Sequence, residues 1–416
     1  MPFGSSAQFL LLLTVVALAG CGHASGATSS SDAPTWYRDV EPIVSEHCAS
    51  CHESGGVAGV SLEFPADNVA LYQSSKPLFA DAVAVLDAGQ MPLWLADRAC
   101  RQYDHERGVS DAQKDVFRAF VDAGSQRGDP ADAPPAFVSA PLSQVDAALT
   151  LSSAYLPAPT AVGGISDSRC FVLDPTLTAA QDVVGFDVHP GSKRVHRAAL
   201  FAMQPELAQA LDQADAGLGY ACSTGPGAQA ALVGEYVPGV PAQNYPAGTG
   251  VRLEPGSLLV LQIVYDLLSG DPEPDQSEVD LEYSASPVPH PARFEAITND
   301  SFSIPARAAD FMAQATFSAT QPSTLWGVAP HLGSYGRQAH MALTQAGADA
   351  CLVDVPNWDP SWEQSYFFAS PASLSLATGD SITLTCTWDN PSEVAVVSGM
   401  GPSDEACVGY AYLSDD

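Results

Sequence analysis

The stretch Cys-Ala-Ser-Cys-His at residues 48–52 constrains this chain more than any other. Two thiols three positions apart, followed at once by an imidazole, form the arrangement that attaches haem c. Cys48 and Cys51 would form thioethers with the haem vinyl groups, and His52 would bind the iron from one side. The motif therefore predicts haem c as a cofactor held by these three residues.

A Cys-x-x-Cys pair also occurs in zinc sites and in redox-active dithiols. Zinc would need two further ligands with paired spacing, and none of that kind follows in the sequence. A redox dithiol would be expected in a β-α-β context, and the pattern of the sequence does not indicate one. Haem attachment is therefore the interpretation that we carry forward.

The flanking sequence predicts helices around the motif. Residues 36–47 carry apolar side chains at helical spacing and lead directly into Cys48. Ser-Asp-Ala-Gln at residues 110–113 is a capping-box start, and Gly124 ends the helix that follows. The apolar face of this second helix consists of Val116, Phe117, Phe120 and Val121.

Met91 is the predicted sixth ligand of the iron. It lies in Gly-Gln-Met-Pro-Leu-Trp at residues 89–94, where a proline stiffens the turn and a large aromatic side chain follows. Ligation by His and Met raises the reduction potential, which suits electron transfer. The alternative is a core methionine packed under the haem.

Residues 36–130 resemble the cytochrome c-like domain of bacterial exported proteins, which reads W-x-x-D-V-x-P-I…C-x-x-C-H…M-P-P-W…C. One departure is Leu93, where the family usually has a second proline. The resemblance implies a small α-helical haem domain over residues 35–130. The matching residues are Trp36, Asp39, Val40, Pro42, Ile43, Cys48, Cys51, His52, Met91, Pro92, Trp94 and Cys100.

The N-terminus indicates export. The apolar run at residues 9–18 is short for a bilayer span, and Leu-Ala-Gly-Cys at residues 18–21 looks like the lipobox of bacterial lipoproteins. We therefore expect a signal peptide over residues 1–20, lipidation of Cys21 and a flexible tether over residues 21–34. The segment before the apolar run has no Lys or Arg, and the alternatives are an uncleaved anchor or a buried N-terminal helix.

The net charge limits which partners the protein can bind, and the cysteine content indicates its cellular compartment. A formal net charge of −32 argues against nucleic acid and against adhesion to anionic lipid headgroups, so contact with the membrane is expected through the lipid anchor only. The chain has nine cysteines. One is assigned to lipid and two to haem, and outside the cytosol the remaining six are disulfide candidates. These six are Cys100, Cys170, Cys222, Cys351, Cys386 and Cys407.

The sequence beyond an acidic, Pro-rich linker at residues 131–144 predicts β-sandwich domains. Short apolar or alternating runs are separated by Gly, Pro, Asp and Ser, with no helical pattern between them. A second Pro-rich joint at residues 286–291 divides the region into domains at residues 145–286 and 287–416. The predicted strands are residues 183–188, 195–203, 257–267, 279–283, 381–388, 394–398 and 407–413.

These two regions resemble the jelly-roll-like domains of ascorbate-dependent type II copper monooxygenases, the family of peptidylglycine α-hydroxylating monooxygenase and dopamine β-monooxygenase. Sequence blocks at residues 169–173, 190–196, 261–265, 327–331, 351–359 and 403–407 carry the resemblance. It implies the disulfides Cys170–Cys222 and Cys386–Cys407. Cys100 and Cys351 then either pair with each other across domains or stay as free thiols.

Copper ligands of that family are mostly missing at the matching positions. The family's His-His pair reads His196-Arg197, and the third His of that site is Val264. The family's P-H-M-H reads Pro-His-Leu-Gly at residues 330–333, and the Met of its D-E-M-C turn is Ala406. Only His196 and His331 remain as remnant copper positions, so copper is not expected to bind. A rearranged centre is the alternative, drawn from His189, His331, His340, Met341 and Met400.

The sequence thus predicts a small α-helical cytochrome c-like domain followed by two all-β jelly-roll-like sandwich domains. The leading hypothesis is an exported, lipid-anchored c-type haem protein, periplasmic or at the cell surface. It would exchange electrons with a redox partner protein or a small-molecule reductant, and its β domains would bind or dock something without copper hydroxylation. One competing hypothesis is a copper-dependent monooxygenase fed by the haem, and another is a structural lipoprotein.

Overall fold

The computed structural model describes residues 33–416 apart from residues 136, 139, 160–164, 223–224, 269, 361, 370 and 400–403. The predicted signal peptide and the lipidation site at Cys21 lie outside these residues, as do Met400 and most of the predicted tether. No helix among the described residues is long and apolar enough to cross a membrane.

The N-terminal part is helical and packs around an aromatic core. Trp36, Phe64, Tyr72, Phe79 and Phe120 are all buried, and the Trp36 and Phe79 rings stack with their centroids 5.2 Å apart. Three α-helices and two short helical turns make up this part. They are a π-helical turn at Trp36–Val40, α1 (Glu41–His47), α2 (Val69–Asp87), α3 (Asp111–Asp122) and a 3-10 turn at Pro130–Asp132.

Both helices predicted around the motif are present, and the first one differs in its first turn. Residues 36–47 do form a helical run, but its first turn is a π-helix in which the Val40 N–H bonds to Thr35 O at 3.3 Å. The capping box of α3 is confirmed: the Ser110 side chain accepts from the Gln113 N–H, and the Gln113 side chain accepts from the Ser110 N–H. Gly124 follows this helix at a φ of 83°, a conformation that favours glycine.

The rest of the described chain is mostly β, in three larger sheets and one two-stranded ladder. The central sheet has the order β1-β10-β3-β8-β11-β21-β14-β17, with β7 on β3 and β18 on β14. It contains β1 (Ala147–Thr150), β3 (Gln181–His189), β7 (Gln243–Asn244), β8 (Thr249–Leu253), β10 (Glu278–Tyr283), β11 (His290–Asn299), β14 (Ser323–Leu332), β17 (Tyr366–Phe367), β18 (Leu374–Leu376) and β21 (Cys407–Asp415).

Two smaller sheets pack against this one, and the ladder lies beside them. The first has the order β5-β2-β9-β4-β6, and the second has the order β13-β19-β15-β16. Their strands are β2 (Ser166–Leu173), β4 (Val195–Met203), β5 (Tyr220–Ala221), β6 (Ala231–Tyr236), β9 (Leu258–Asp266), β13 (Phe311–Ser318), β15 (Gly336–Gln345), β16 (Ala348–Val355) and β19 (Ser381–Trp388). The ladder pairs β12 (Ser303–Ile304) with β20 (Val396–Val397), and α4 (Pro205–Ala214) follows β4.

The Pro-rich joint at residues 286–291 does not interrupt the central sheet. Strand β11 begins at His290 and pairs in parallel with β8, so the N-terminal β half (residues 145–286) and the C-terminal β half (residues 287–416) share one sheet. One hydrophobic core lies mainly in each half, and the core of the N-terminal half also contains Phe294, Phe367 and Tyr412 of the C-terminal half. The two halves are therefore joined by backbone hydrogen bonds as well as by the chain.

All six cysteines beyond residue 52 form disulfides. The pairs Cys170–Cys222 and Cys386–Cys407 confirm the expectation from the family resemblance. The remaining two are joined as Cys100–Cys351, across 251 positions of sequence. Disulfides of this number indicate an oxidising, exported environment.

Residues 94–107, which follow α2, pack into the C-terminal β half although the sequence assigns them to the helical domain. Tyr103 is 4% exposed within the core of that half, where Ala96 is also buried. The Tyr103 hydroxyl donates to Leu352 O at 3.0 Å, and the Asp104 N–H donates to Phe367 O at 2.9 Å. Together with the Cys100–Cys351 bond, this 94–107 segment anchors the helical part on the β region.

Candidate functional site

The Cys-x-x-Cys-His motif forms a tight turn at the C-terminus of α1. Cys48 follows the last helical residue, and its N–H donates to Val44 O at 2.9 Å. The N–H groups of Cys51 and His52 both reach back to Cys48 O, at 3.2 and 3.0 Å. The helix and this turn bring the two thiols and the imidazole onto one short loop, as the motif predicts.

Cys48 and Cys51 are the only free cysteines among the residues that the structure describes. Burial raises the pKa of Cys48 to about 12, against the Arg107 guanidinium, which acts to lower it. Burial likewise raises the pKa of Cys51, with Arg107 and Ser50 opposing it. Both thiols are therefore protonated at neutral pH, whereas a redox-active dithiol depends on a lowered pKa.

His52 has one ring nitrogen engaged and the other available. Its Nδ1 lies 2.9 Å from Val60 O, a geometry in which Nδ1 donates to the carbonyl. A histidine that binds a metal through one nitrogen usually donates the N–H of the other to a carbonyl or carboxylate. The two free thiols and this oriented imidazole match the donor set that haem c requires.

Met91, the predicted sixth ligand, lies in the turn between α2 and the 94–107 segment. Its N–H approaches Val85 O at 3.4 Å, which holds the start of the turn on the last part of α2. Its side chain is partly exposed.

The motif also contacts the N-terminal β half. Pro238 O lies 3.7 Å from Cys51 Sγ, and it accepts from Arg107 Nη1 at 3.2 Å. Gly239 follows at a φ of 80°, and a Cβ at this position would collide with Ser50 Oγ. The close approach of loop 237–239 to the motif therefore requires glycine.

Two cations extend this contact on the other side of the motif. Lys193 Nζ lies 2.9 Å from Glu53 Oε2 and donates to Ser54 O at 2.7 Å. The buried Arg194 donates to Gly55 O. A cavity of about 520 Å3 opens between these residues and the motif, lined among others by Ser50, Glu53, Lys193, Tyr236 and Pro238. Its volume is within the range that binds small molecules.

An ion-pair network between the two β halves includes Arg197 and His331, two of the positions that the sequence comparison aligned with copper ligands. Arg197, on β4, lies opposite Val264 on β9 and forms an ion pair with Glu363. His331, on β14, has its Nδ1 3.4 Å from Glu363 and its Nε2 2.5 Å from Glu235. Glu363 therefore links a residue from each of the two predicted sites.

Glu235 is the most deeply buried member of this network. It is 2% exposed and accepts from the Ser365 hydroxyl at 2.8 Å. Burial acts to raise the pKa of Glu235, but His331, Ser365 and Arg197 outweigh it and lower that pKa, which keeps the carboxylate charged. The space left beside it is about 10 Å3, roughly that of one water molecule. Arg197, Glu235 and Glu363 thus fill most of the space between the two β halves at this point.

The other histidines lie apart from this network. His196 sits at a β-bulge of β4, and burial lowers its pKa against Asp266. His189 pairs with Asp280 at 2.9 Å, and His340 pairs with Asp354 at 3.2 Å. Within the described ranges, no three His, Cys, Asp or Glu side chains are grouped so that they could hold a metal. Met341 is fully buried in the core of the C-terminal half.

Three functional candidates were missed from the sequence. Glu235 is the fifth residue of the apolar strand Ala-Leu-Val-Gly-Glu-Tyr, and a carboxylate at a buried strand position signals a buried partner. Glu363 and Arg107 both lie outside helices and strands, so neither carries a comparable signal.

Comparison with known proteins gives no family. No protein-family model matches the chain, and no curated protein matches it. Among solved structures, the major capsid protein P2 of bacteriophage PM2 aligns at a TM-score of 0.29 with 10% identity, over 65% of this chain and 97% of that one. The VP2 subviral particle of infectious bursal disease virus aligns at 0.17 with 13% identity, over 68% and 74%. Allantoicase aligns at 0.17 with 12% identity, over 59% and 77%. These TM-scores are too low to support any conclusion about the fold or function of this chain.

Proposed function

We propose that this chain is an exported, lipid-anchored c-type haem protein that transfers electrons, and that its β region binds or docks a partner without copper hydroxylation. The observation that carries the proposal is the state of the motif. Cys48 and Cys51 stay free while the six later cysteines are joined, and His52 is held by Val60 O with one nitrogen available. This combination fits covalent haem attachment better than a disulfide, a zinc site or a redox dithiol.

Haem c bound here would supply a one-electron couple between ferric and ferrous iron. The residues of the chain would hold and tune it. Val60 O orients the His52 ring through Nδ1, and Met91 is the proposed second axial ligand. Arg107 places a positive charge beside both cysteines, which favours the reduced iron. The cavity beside Glu53 and Lys193 offers access for a small-molecule reductant.

The ion-pair network supports a role without copper. Arg197 puts a fixed positive charge where the resemblance calls for a neutral imidazole, and Glu363 neutralises that charge. Copper that cycles between Cu(I) and Cu(II) is held by imidazole and thioether ligands. The network offers His331 as its single imidazole, and that ring already faces two carboxylates.

The experiment is metal analysis and a visible spectrum of the full chain, matured in a host with haem-attachment machinery. We expect one iron per chain, a Soret band that stays with the denatured polypeptide, and no stoichiometric copper. About two coppers per chain would support the monooxygenase hypothesis instead, and a missing Soret band would contradict both redox functions.

Replacing Met91 by Ala tests the sixth ligand. Loss of the thioether is expected to lower the reduction potential and to let an added ligand such as imidazole bind the iron, because His/Met ligation raises the potential. The matched control is Met312→Ala, at an exposed methionine of β13. An unchanged spectrum and potential in Met91→Ala would remove Met91 from the site.

A further inference from the structure

The three disulfides differ in how far solvent reaches them. The cysteines of Cys170–Cys222 and Cys386–Cys407 are at most 6% exposed, and each of these bonds lies within one β half. Cys100 and Cys351 are both partly exposed. A thiolate must reach a sulfur atom to open a disulfide, so exposed disulfides are the labile ones. Cys100–Cys351 is therefore the accessible bond of the three.

The surroundings of Cys100–Cys351 let it open without unpacking a core. Cys100 follows three exposed residues, 97–99, in a stretch outside helices and strands. Cys351 lies on β16, the last strand of its sheet, and the exposed residues 346–350 precede it. The cysteines of the other two bonds belong to hydrophobic cores. Packing therefore protects those two bonds and leaves Cys100–Cys351 open to attack.

The ends of the bond stay close together when it opens, because hydrogen bonds hold the 94–107 segment on β16 at either side of Cys100. The Asp97 N–H donates to Asp354 O at 2.7 Å, and the Tyr103 hydroxyl donates to Leu352 O at 3.0 Å. Two thiols that are kept near each other in this way form the same bond again on oxidation. The arrangement therefore suits repeated opening and closing.

Arg101 places a positive charge beside the bond. It follows Cys100 directly, and its Nε donates to Cys351 O at 3.4 Å. It forms no ion pair with any of the described residues, and its guanidinium lies over the Phe368 ring at 4.6 Å. A cation beside a cysteine favours the thiolate, and a thiol of lower pKa leaves a disulfide faster. Arg101 is therefore placed to speed the opening of Cys100–Cys351.

We propose that Cys100–Cys351 is a site of thiol–disulfide exchange with an external dithiol. A thiolate of the dithiol attacks one sulfur, the S–S bond breaks, and the other cysteine leaves as a thiolate that takes up a proton. The second thiol of the dithiol then attacks the mixed disulfide. The dithiol is thereby oxidised to a disulfide, and Cys100 and Cys351 are reduced to two thiols with two electrons and two protons.

Opening the bond releases the turn that covers one side of β16. Residues 97–102 lie between the buried Ala96 and Tyr103, and Cys100–Cys351 is their covalent tie to this strand. No described strand pairs with β16 on that side. Unpaired main-chain groups at a sheet edge can pair with a strand of another chain. The exchange thus changes a local surface while Ala96 and Tyr103 keep the helical part docked.

The test follows the native full chain, loaded with haem so that Cys48 and Cys51 are blocked, in dithiothreitol and separately in reduced thioredoxin. New thiols are alkylated and located by mass spectrometry. We expect Cys100 and Cys351 to be labelled at least about ten-fold faster than the other four, and to pair again on oxidation. Labelling by dithiothreitol alone identifies a small dithiol as the reductant, whereas labelling in both arms shows that a protein dithiol reaches the bond.

Equal labelling rates for all six cysteines, or labelling only after unfolding, would overturn the exchange site. Labelling of Cys48 and Cys51 before any reductant is added would instead show that haem is not attached. That second result contradicts the proposed haem function and leaves the comparison of the three disulfides intact.

Two further measurements test Arg101 and the released turn. Arg101→Gln should slow the opening by about three-fold, the effect of a leaving-thiol pKa raised by about one unit. Arg98→Gln is the matched control, because Arg98 lies two positions before Cys100 and is paired with Glu106. Trypsin should cut after Arg101 faster in the reduced chain than in the oxidised chain. An unchanged rate of cutting would contradict the release of residues 97–102.

Discussion

At the scale of single residues, buried charges dominate the boundary between the two β halves. Arg197, Glu363, His331 and Glu235 form one chain of contacts, and Glu363 and Glu235 are 8% and 2% exposed. Ions taken out of water are tolerated only when each has its partner. The network therefore makes the docking of the halves sensitive to the loss of any one member.

Replacing Arg197 by Ala should be strongly destabilising. It leaves Glu363 with His331 as its only remaining partner in the network, and breaking a buried pair costs about 3–5 kcal/mol of unfolding free energy. The measurement is urea unfolding at neutral pH. The control is Arg307→Ala, which removes an exposed partner of Glu393 and should cost at most about 1 kcal/mol. Equal losses in the two variants would mean that the network contributes no more than a surface pair.

The ion pair between Arg169 and Asp215 predicts a defined loss of stability in acid. Hydrogen bonds from Arg169 and from the Gly217 N–H lower the pKa of Asp215 to about 2, below its ordinary value of 3.8. A lowered pKa in the folded state stabilises the protein above pH 3.8, and this contribution is lost as the pH falls through about 2. Asp215→Asn should therefore have a lower melting temperature than wild type at pH 5. Its melting temperature should also fall less than that of wild type between pH 5 and pH 2.

Asp212→Asn is the control for that series, since Asp212 lies in the last turn of α4, just before Asp215, and takes part in none of the ion pairs of the described chain. Its melting temperature should follow the wild-type pH dependence. A wild-type slope in Asp215→Asn would contradict the assignment of the acid loss to this pair.

At the scale of elements, α3 depends on its capping box. Ser110→Ala removes the side-chain acceptor of the Gln113 N–H at 3.3 Å and should cost about 1 kcal/mol. Thermal unfolding followed by far-ultraviolet circular dichroism measures it. Ser74→Ala is the control, because Ser74 is an exposed serine in the middle of α2 and should change stability by less than about 0.5 kcal/mol. A loss in Ser110→Ala as small as that of the control would show that the cap is dispensable.

Local sequence patterns predicted which helices and strands form better than they predicted which strands pair with each other. The capping box at Ser110 and the alternation of residues 195–203 and 381–388 depend on sequence neighbours, and the structure has α3, β4 and β19 at those places. The pairing of β8 with β11 could not be predicted, because it joins strands on opposite sides of a Pro-rich joint. No pattern within a strand or next to it in the sequence specifies which other strand it will pair with.

The same limit applies to the candidate site. The motif predicts roles for Cys48, Cys51 and His52 because its chemistry is contained in five consecutive residues. Glu363 acquires its role only where it meets Arg197 and His331, which lie on two other strands. A network of single residues from distant segments has no spacing that a sequence pattern could reveal.

At the scale of the whole molecule, the helical part and the β region form one unit through the 94–107 segment. Tyr103 forms an antiparallel bridge with Phe368, and the Ala369 N–H donates to Gln102 O at 3.0 Å. The predicted linker adds contacts of its own, since the Phe137 N–H donates to Ser45 Oγ at 3.1 Å. The helical part is therefore fixed relative to the β region, in contrast to a domain on a flexible tether.

Cutting the chain between the two parts tests this unity. A protease site inserted between the exposed Pro134 and Pro135 should be cleaved without separating the pieces. On a denaturing gel they should stay together until reductant breaks Cys100–Cys351. Under native reducing conditions they should still co-elute on gel filtration, because Tyr103 and Ala96 lie in the core of the C-terminal half. The cleaved pieces of the Cys351→Ser variant should separate on the non-reducing denaturing gel but still co-elute on native gel filtration. Separation of the native reduced pieces would mean that the disulfide alone holds the parts together.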